Sequence, residues 1–235
     1  MKVALMQPYF FPYIGYFQLI HAVDEFIIFD NAQYIRRGWI NRNRVLNPQK
    51  ETVYINVPVQ KASRETKIKD IVIDSSSNWK ETIIHQLNYY RKAPNYDFVM
   101  DFLNDSLELS KPYISELNTS LLKKVCNLLK INTNITVLSE QFPMLNEMNA
   151  ADEWGIEVSK ALNATSYINA IGGKEFYDPQ KYRANGLDIQ FIKTDIKPYK
   201  QFHDVFVPGL SIIDMMMFNQ PEEIREMLDI HELIK

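Results

Sequence analysis

The spacing of apolar and polar residues divides the first thirty positions into four runs. Residues 2–6, KVALM, are apolar after Lys2 and predict a short buried strand. The next stretch, QPYFFPYIG, is broken by Pro8, Pro12 and Gly15 and predicts a loop. Residues 16–23 return to three- and four-residue spacing, with Phe17, Ile20 and His21 on one side, and predict a short helix. Residues 25–30, EFIIFD, predict a second strand ending in Asp30. Strand, loop, helix and strand is the order of a βαβ unit. Its right-handed crossover sets the loop at the carboxyl edge of a parallel sheet, where open α/β sheets hold ligands. The loop's aromatic residues would equally serve to cover the sheet.

Further along, residues 31–50 are polar and basic and predict irregular chain. Residues 52–59 predict a strand, with Pro58 marking an edge or an end. Residues 68–73, IKDIVI, predict another. A helix is predicted from an Asn78 cap to Arg91, with Glu81 in capping-box position and Trp79, Ile83, Leu87 and Tyr90 as its stripe. Helices are predicted over 97–108, 114–129 and 151–162, and strands over 135–140, 166–170 and 187–193. A last helix starts near Pro221, with Asn219 as cap and Glu222 three positions on. The stripe LSIIDMMMF, 210–218, reads as core interrupted by Asp214, a carboxylate that burial obliges to find a partner; one of the arginines is the expected one. The pattern predicts an α/β fold built on an open parallel sheet, as one domain over 1–235. Residues 76–130 form a helix-rich middle suited to a subdomain or lid.

Composition narrows the chemistry. A net charge of −3 over 235 residues gives no general pull toward nucleic acid or anionic membrane, so any anion site must be local. The single cysteine, Cys126, cannot form an internal disulfide and reads as a small buried hydrophobe. A reducing, cytoplasmic setting fits it. No run of 18 apolar residues predicts a membrane span.

Three segments can carry chemistry. Gln7, Tyr9, Tyr13, Gly15 and Tyr16 follow the first strand; Gly15 would let a ligand approach the backbone at the helix start, or would be a plain turn glycine. Residues 36–44, RRGWINRNR, gather Arg36, Arg37, Arg42 and Arg44 around Trp39, Asn41 and Asn43. Guanidinium groups bind phosphate bidentately and stack on flat rings, while asparagines offer donors and an acceptor to a base or sugar. The same run also fits a solvated basic loop or a single-strand RNA contact. In IGGKEFYDPQKY, residues 171–182, Gly172 and Gly173 give a turn from which Lys174 could reach a phosphate, with Glu175 or Asp178 as base or metal ligand. The histidines His21, His85, His203 and His231 have no zinc-ligand spacing, so no structural metal is expected. His21 and His203 are candidate pocket residues.

The opening QPYFFPYIGYFQLIHAVDEFIIFDNAQYIRRGWINRNR, with VPV, YYRKAP, IGGKEFYDPQKYRANGLDI and FVPGLSIIDMMMF, resembles the WbqC-like protein family across nearly the whole chain. That resemblance implies a cytoplasmic step of bacterial surface-polysaccharide or O-antigen biosynthesis acting on a nucleotide-linked amino sugar. Transfer of an activated acyl or aminoacyl group to the sugar amine fits the setting. A glycosyltransferase, another sugar-nucleotide enzyme, or a non-catalytic sugar-nucleotide scaffold are the alternatives, and a homo-oligomer is compatible with any of them. The first βαβ unit also resembles that of HIGH-type nucleotidyltransferases such as pantothenate synthetase, which implies ATP with Mg2+ and adenylate chemistry. Here Tyr13 and Tyr16 stand where those enzymes carry histidines. In this reading His21, Arg36, Arg37 and Lys174 are the catalytic candidates. Gln7, Tyr9, Tyr13, Gly15, Tyr16, Asn41, Arg42, Asn43, Gly172, Gly173 and His203 are the ligand-binding ones.

Overall fold

The computed structural model describes residues 1–108, 111–145, 147–148 and 150–235. In chain order its elements are β1 (Lys2–Met6), α1 (Ile14–His21), β2 (Glu25–Ile28), β3 (Arg42–Leu46), β4 (Thr52–Asn56), α2 (Trp79–Leu87), α3 (Tyr96–Leu107) and α4 (Ile114–Leu128). There follow β5 (Asn134–Val137), α5 (Leu138–Gln141), α6 (Glu153–Ala161), β6 (Ser166–Ala170), α7 (Pro179–Ala184), β7 (Asp188–Thr194), α8 (Ile212–Phe218), α9 (Pro221–Glu226) and β8 (His231–Ile234).

Six strands form one sheet in the order β5-β2-β1-β6-β7-β8. All neighbours are parallel except β8, which returns antiparallel along β7. From β1 the chain winds outward through β2 and β5, then restarts on the other side of β1 with β6, β7 and β8. The winding reverses between β1 and β6, and such reversals are where open α/β sheets receive ligands. The central strands β1 and β2 carry unbroken apolar runs, VALM and FII, because both faces are covered. Val3, Leu5 and Ile27 pack with Ile156, Tyr167 and Tyr182; Ala4, Phe26 and Ile28 pack into a larger cluster with Phe17, Leu87, Leu121 and Met217. That larger cluster takes in the buried faces of α2, α3 and α4, so the helix-rich middle shares its core with α1 and α8.

Several expected elements are corrected. Residues 31–50 are not all irregular: β3 pairs antiparallel with β4 as a separate hairpin. Its alternation is masked because the inward residue Asn43 is polar and the outward ones are arginines. Residues 68–73 are not a strand; Ile68–Asp70 is a 3-10 turn, followed by isolated bridges at Val72 and Ile73. The strand at 135–140 stops at Val137, because buried Asp30 accepts the backbone N–H and the hydroxyl of Ser139 and turns the chain into α5. Asn78 makes no side-chain cap, and the helix passes into a 3-10 turn at Asn88–Tyr90. The last cap is shifted by one: Glu223 accepts the Gln220 N–H at 2.6 Å, while Asn219 donates back to Met215 O and closes α8. β8, with its mixed pattern HELI, was not anticipated.

Candidate functional site

The loop that leaves β1 at the winding reversal is held by later parts of the chain. Asn118 Nδ2 donates to the carbonyls of Pro8 (2.8 Å) and Ile40 (2.6 Å). Asn43 Nδ2 donates to those of Phe10 (3.0 Å) and Phe11 (2.9 Å). Ser211 Oγ donates to Phe11 O at 2.8 Å, and Ile212 N to Pro12 O at 2.9 Å. These bonds hold Phe11 at φ 38°, a left-handed conformation that a side chain disfavours. Tyr16 is buried and donates to Gln7 O at 2.7 Å. What the loop leaves available is the Gln7 amide and the hydroxyls of Tyr9 and Tyr13, half-buried and without hydrogen-bond partners among the described residues. Burial, and then the neighbouring Tyr13, raise the Tyr9 pKa, so Tyr9 is a neutral donor near pH 7.

Gly15 has a packing reason rather than a ligand reason. A Cβ there would meet the Tyr13 ring (Cζ at 2.7 Å) and Thr194 Oγ1 at 2.6 Å, so the space the sequence reserves for a ligand is filled by the protein. Gly173 is similar, with Asn169 Nδ2 at 2.7 Å from such a Cβ, whereas Gly172 faces open space.

The arginines divide by role. Arg42 and Arg44 lie on the outer face of the β3–β4 hairpin beside Tyr54, which pairs with Arg44. The Arg42 guanidinium stacks 4.0 Å from the Tyr54 ring centre, and that of Arg44 lies 5.4 Å from the Trp39 ring. Arg36 donates to Ala62 O at 2.6 Å and borders a cleft of about 300 Å3 with Tyr34, Gln60 and Lys61. Burial raises the Tyr34 pKa, and the charges of Arg36 and Arg42 both oppose the rise. Arg37 has φ 63°, and its carbonyl accepts from Arg42 Nη2. Asn41 and Asn43 are buried and used internally. Asn41 accepts from Tyr34 Oη and donates to Asn56 Oδ1 and Val57 O, each within 2.9 Å. They position the arginine run instead of presenting amides to a ligand.

Three further candidates lie away from the loop, and one expected partner is corrected. Lys174 Nζ donates to Lys235 O at 2.6 Å, beyond the edge strand β8, so it does not cover the reversal between β1 and β6. His21 ends α1, about 10 Å of helical rise from its start. Its Nε2 lies 3.2 Å from Asp229. His203 Nδ1 accepts the Val205 N–H at 3.0 Å and closes its own turn. Asp214 is buried with no arginine; it accepts from Tyr90 Oη (2.6 Å), Tyr199 Oη (2.6 Å) and Gln201 Nε2 (2.9 Å).

The sequence profile of the WbqC-like protein family matches residues 7–226, which include the loop, the arginine run and Asp214. This chain belongs to the WbqC-like protein family. It is also 30% identical over 242 residues to the uncharacterized protein Rv1507c of Mycobacterium tuberculosis, covering 97% of each chain. No solved structure matches it.

In this WbqC-like protein, no group of three or more His, Cys, Asp and Glu among the described residues is placed to hold a metal ion. No helix among them is long and apolar enough to cross a membrane. Sequence reasoning missed Tyr34, Tyr54, Gln60 and Lys61. Tyr54 had a signal, the alternation of TVYIN, which places it on the outer face with Thr52 and Asn56. A second cleft, of about 700 Å3, lies between the hairpin tip at Asn47 and Pro48 and the segment around Tyr89; it takes in Phe202, next to the pocket candidate His203, and part of the YYRKAP segment.

Proposed function

We propose that this protein is an enzyme of bacterial surface-polysaccharide biosynthesis that joins an activated acyl or aminoacyl group to the amine of a nucleotide-linked amino sugar. The observation that carries this reading is a set of unpartnered polar groups, Gln7, Tyr9 and Tyr13, where the winding reverses between β1 and β6. Counted within the sheet, the strand order is 3-2-1-4-5-6, the order of dinucleotide-binding sheets that hold phosphorylated ligands at that point. Arg36, beside Tyr34, and Arg42, stacked on Tyr54, would bind phosphate and offset negative charge that grows during transfer. Arg37 stands beside them as a further cation, while Asn41 and Asn43 fix the run.

ATP with Mg2+ fits this site in part. The arginines can meet a triphosphate, and the phosphate oxygens would hold most of the metal's coordination. The start of α1 does not offer the open glycine cradle that such a group uses elsewhere, because Tyr13 and Thr194 fill it. ATP would supply carboxyl activation; the protein's own residues bind, orient and exclude water.

The test is calorimetric binding of a panel of nucleotide-linked amino sugars, with and without ATP and Mg2+. A double change of Arg36→Ala and Arg42→Ala should weaken the preferred sugar nucleotide at least tenfold, since a hydrogen bond to a charged group contributes about 1.5–3 kcal/mol. Turnover requires loss of the free sugar amine by mass spectrometry. Binding with no acylated product under any donor would leave a sugar-nucleotide scaffold in place of an enzyme, and no binding across the panel would overturn both.

A further inference from the structure

We propose that the larger cleft is a second ligand site, which takes a phosphorylated ligand carrying a planar ring, an anion of nucleotide class. Its volume of about 700 Å3 is that of a small-molecule site. One wall is aromatic and rigid. The Tyr89 and Phe202 rings meet edge to face at 5.5 Å, and Phe202 is backed by Phe218 at 4.9 Å and stacked on Tyr90 at 6.3 Å. The rim carries two cations. The side chains of Arg91 and Lys92 line it and have no ion-pair or hydrogen-bond partner among the described residues, and His85 stands on the same rim. The neighbouring Lys50 is already neutralised by Asp204 at 2.8 Å, an ion pair that ties the hairpin tip to the segment bearing Phe202.

Exposed cations are ordinarily just solvated. Here the turn that bears them is pinned on both sides. Tyr90 accepts the Leu46 N–H at 2.8 Å and donates to Asp214, and Ala93 N donates to Tyr90 O at 2.7 Å. Asn95 donates from its backbone N–H to Met217 O and from its side chain to Met216 O, both at 3.1 Å. The turn therefore has a fixed backbone that sets two adjacent cations beside an aromatic wall; the aromatic wall is preorganised, while the long side chains of Arg91 and Lys92 would be ordered on binding. Phosphate would lie on Arg91 and Lys92, and the ring against Tyr89 and Phe202. The bounded cleft fits a small molecule better than a polymer. This site stands apart from Arg36 and Arg42 and does not depend on the reaction proposed above.

The experiment uses the full chain, with 8-azido-ADP and 5-azido-UDP as photolabels, peptide mapping of the product, and calorimetry with ADP and UDP. The expected result is saturable labelling of the peptides bearing Tyr89 or Phe202, competed by the unmodified nucleotide and retained in the Arg36→Ala, Arg42→Ala protein. Changing Arg91→Gln with Lys92→Gln, both exposed, should weaken nucleotide binding about tenfold or more at unchanged melting temperature. Labelling confined to residues 34–44, unchanged affinity in that double variant, or no saturable labelling would each overturn the proposal. A loss seen only in the Arg36, Arg42 variant would leave the sugar-nucleotide site standing and remove this one.

Discussion

Asp214 is the residue whose sequence reading and structural reading differ most usefully. A carboxylate inside a run of isoleucine and methionine must find partners, and that much was legible. The partners were not, because Tyr90 is 124 positions away and Tyr199 and Gln201 lie in an irregular segment. Burial raises the Asp214 pKa, against the pull of its three hydrogen bonds. The folded chain thus keeps this proton at a pH where the unfolded chain has released it. For this group, stability falls as pH rises from the ordinary aspartate range to the raised value, and does not change further above it. Asp214→Asn should remove that slope, so urea unfolding across this window should show wild type losing stability relative to the variant as pH rises. Asp214→Ala leaves the Tyr90 and Tyr199 hydroxyls without their acceptor, while the Gln201 amide keeps Val207 O, and should lose about 3 kcal/mol. Cys126 makes the opposite case, being fully legible. It is 3% exposed on α4, and burial pushes its thiol pKa up to about 12. A thiol reagent at pH 8 should leave the native protein unmodified and react only as denaturant unfolds it; rapid native labelling would contradict that packing.

At the scale of elements, long periodic segments were readable and short ones with charged faces were not. α3 and α4 matched their patterns closely because one face of each is continuously apolar. β4 was readable, but its partner β3 escaped because its inward face begins with Asn43 and its outward face carries arginines, so the polarity pattern has little contrast. The candidate site suffered from the same cause. Residues chosen for polarity divided into those bonded internally, Asn43 to the loop and Asn41 to Tyr34, Asn56 and Val57, and those that face outward, the arginines, and only packing separates the two. α6 shows how closely an element can be fitted to the sheet. A Cβ on Gly155 would fall 2.7 Å from the Tyr167 ring and would also strike the Tyr182 hydroxyl. Gly155→Ala adds helix propensity of about 1 kcal/mol but forces this contact apart. The net effect should be a loss of about 1–3 kcal/mol, read from chemical denaturation; a stabilised variant would mean that α6 can lift from the sheet without penalty.

For the whole molecule, the βαβ start and the parallel character of the sheet were legible, because buried parallel strands leave unbroken apolar runs. The antiparallel return of β8 and the reversal between β1 and β6 were not, since pairing partners far apart in sequence leave no local trace. The same remoteness bears on how the protein comes to be. The loop after β1 is made well before the groups that hold Phe11 in its left-handed conformation, which come from Asn43 and from Ser211, two hundred residues later. At 5–20 residues per second, a ribosome takes about 10–40 s to supply that serine. Through that interval the nascent chain has its first strand and its aromatic loop without their final fastening. The phenylalanines and tyrosines of the future site are then the segment most exposed to mispairing and to chaperones.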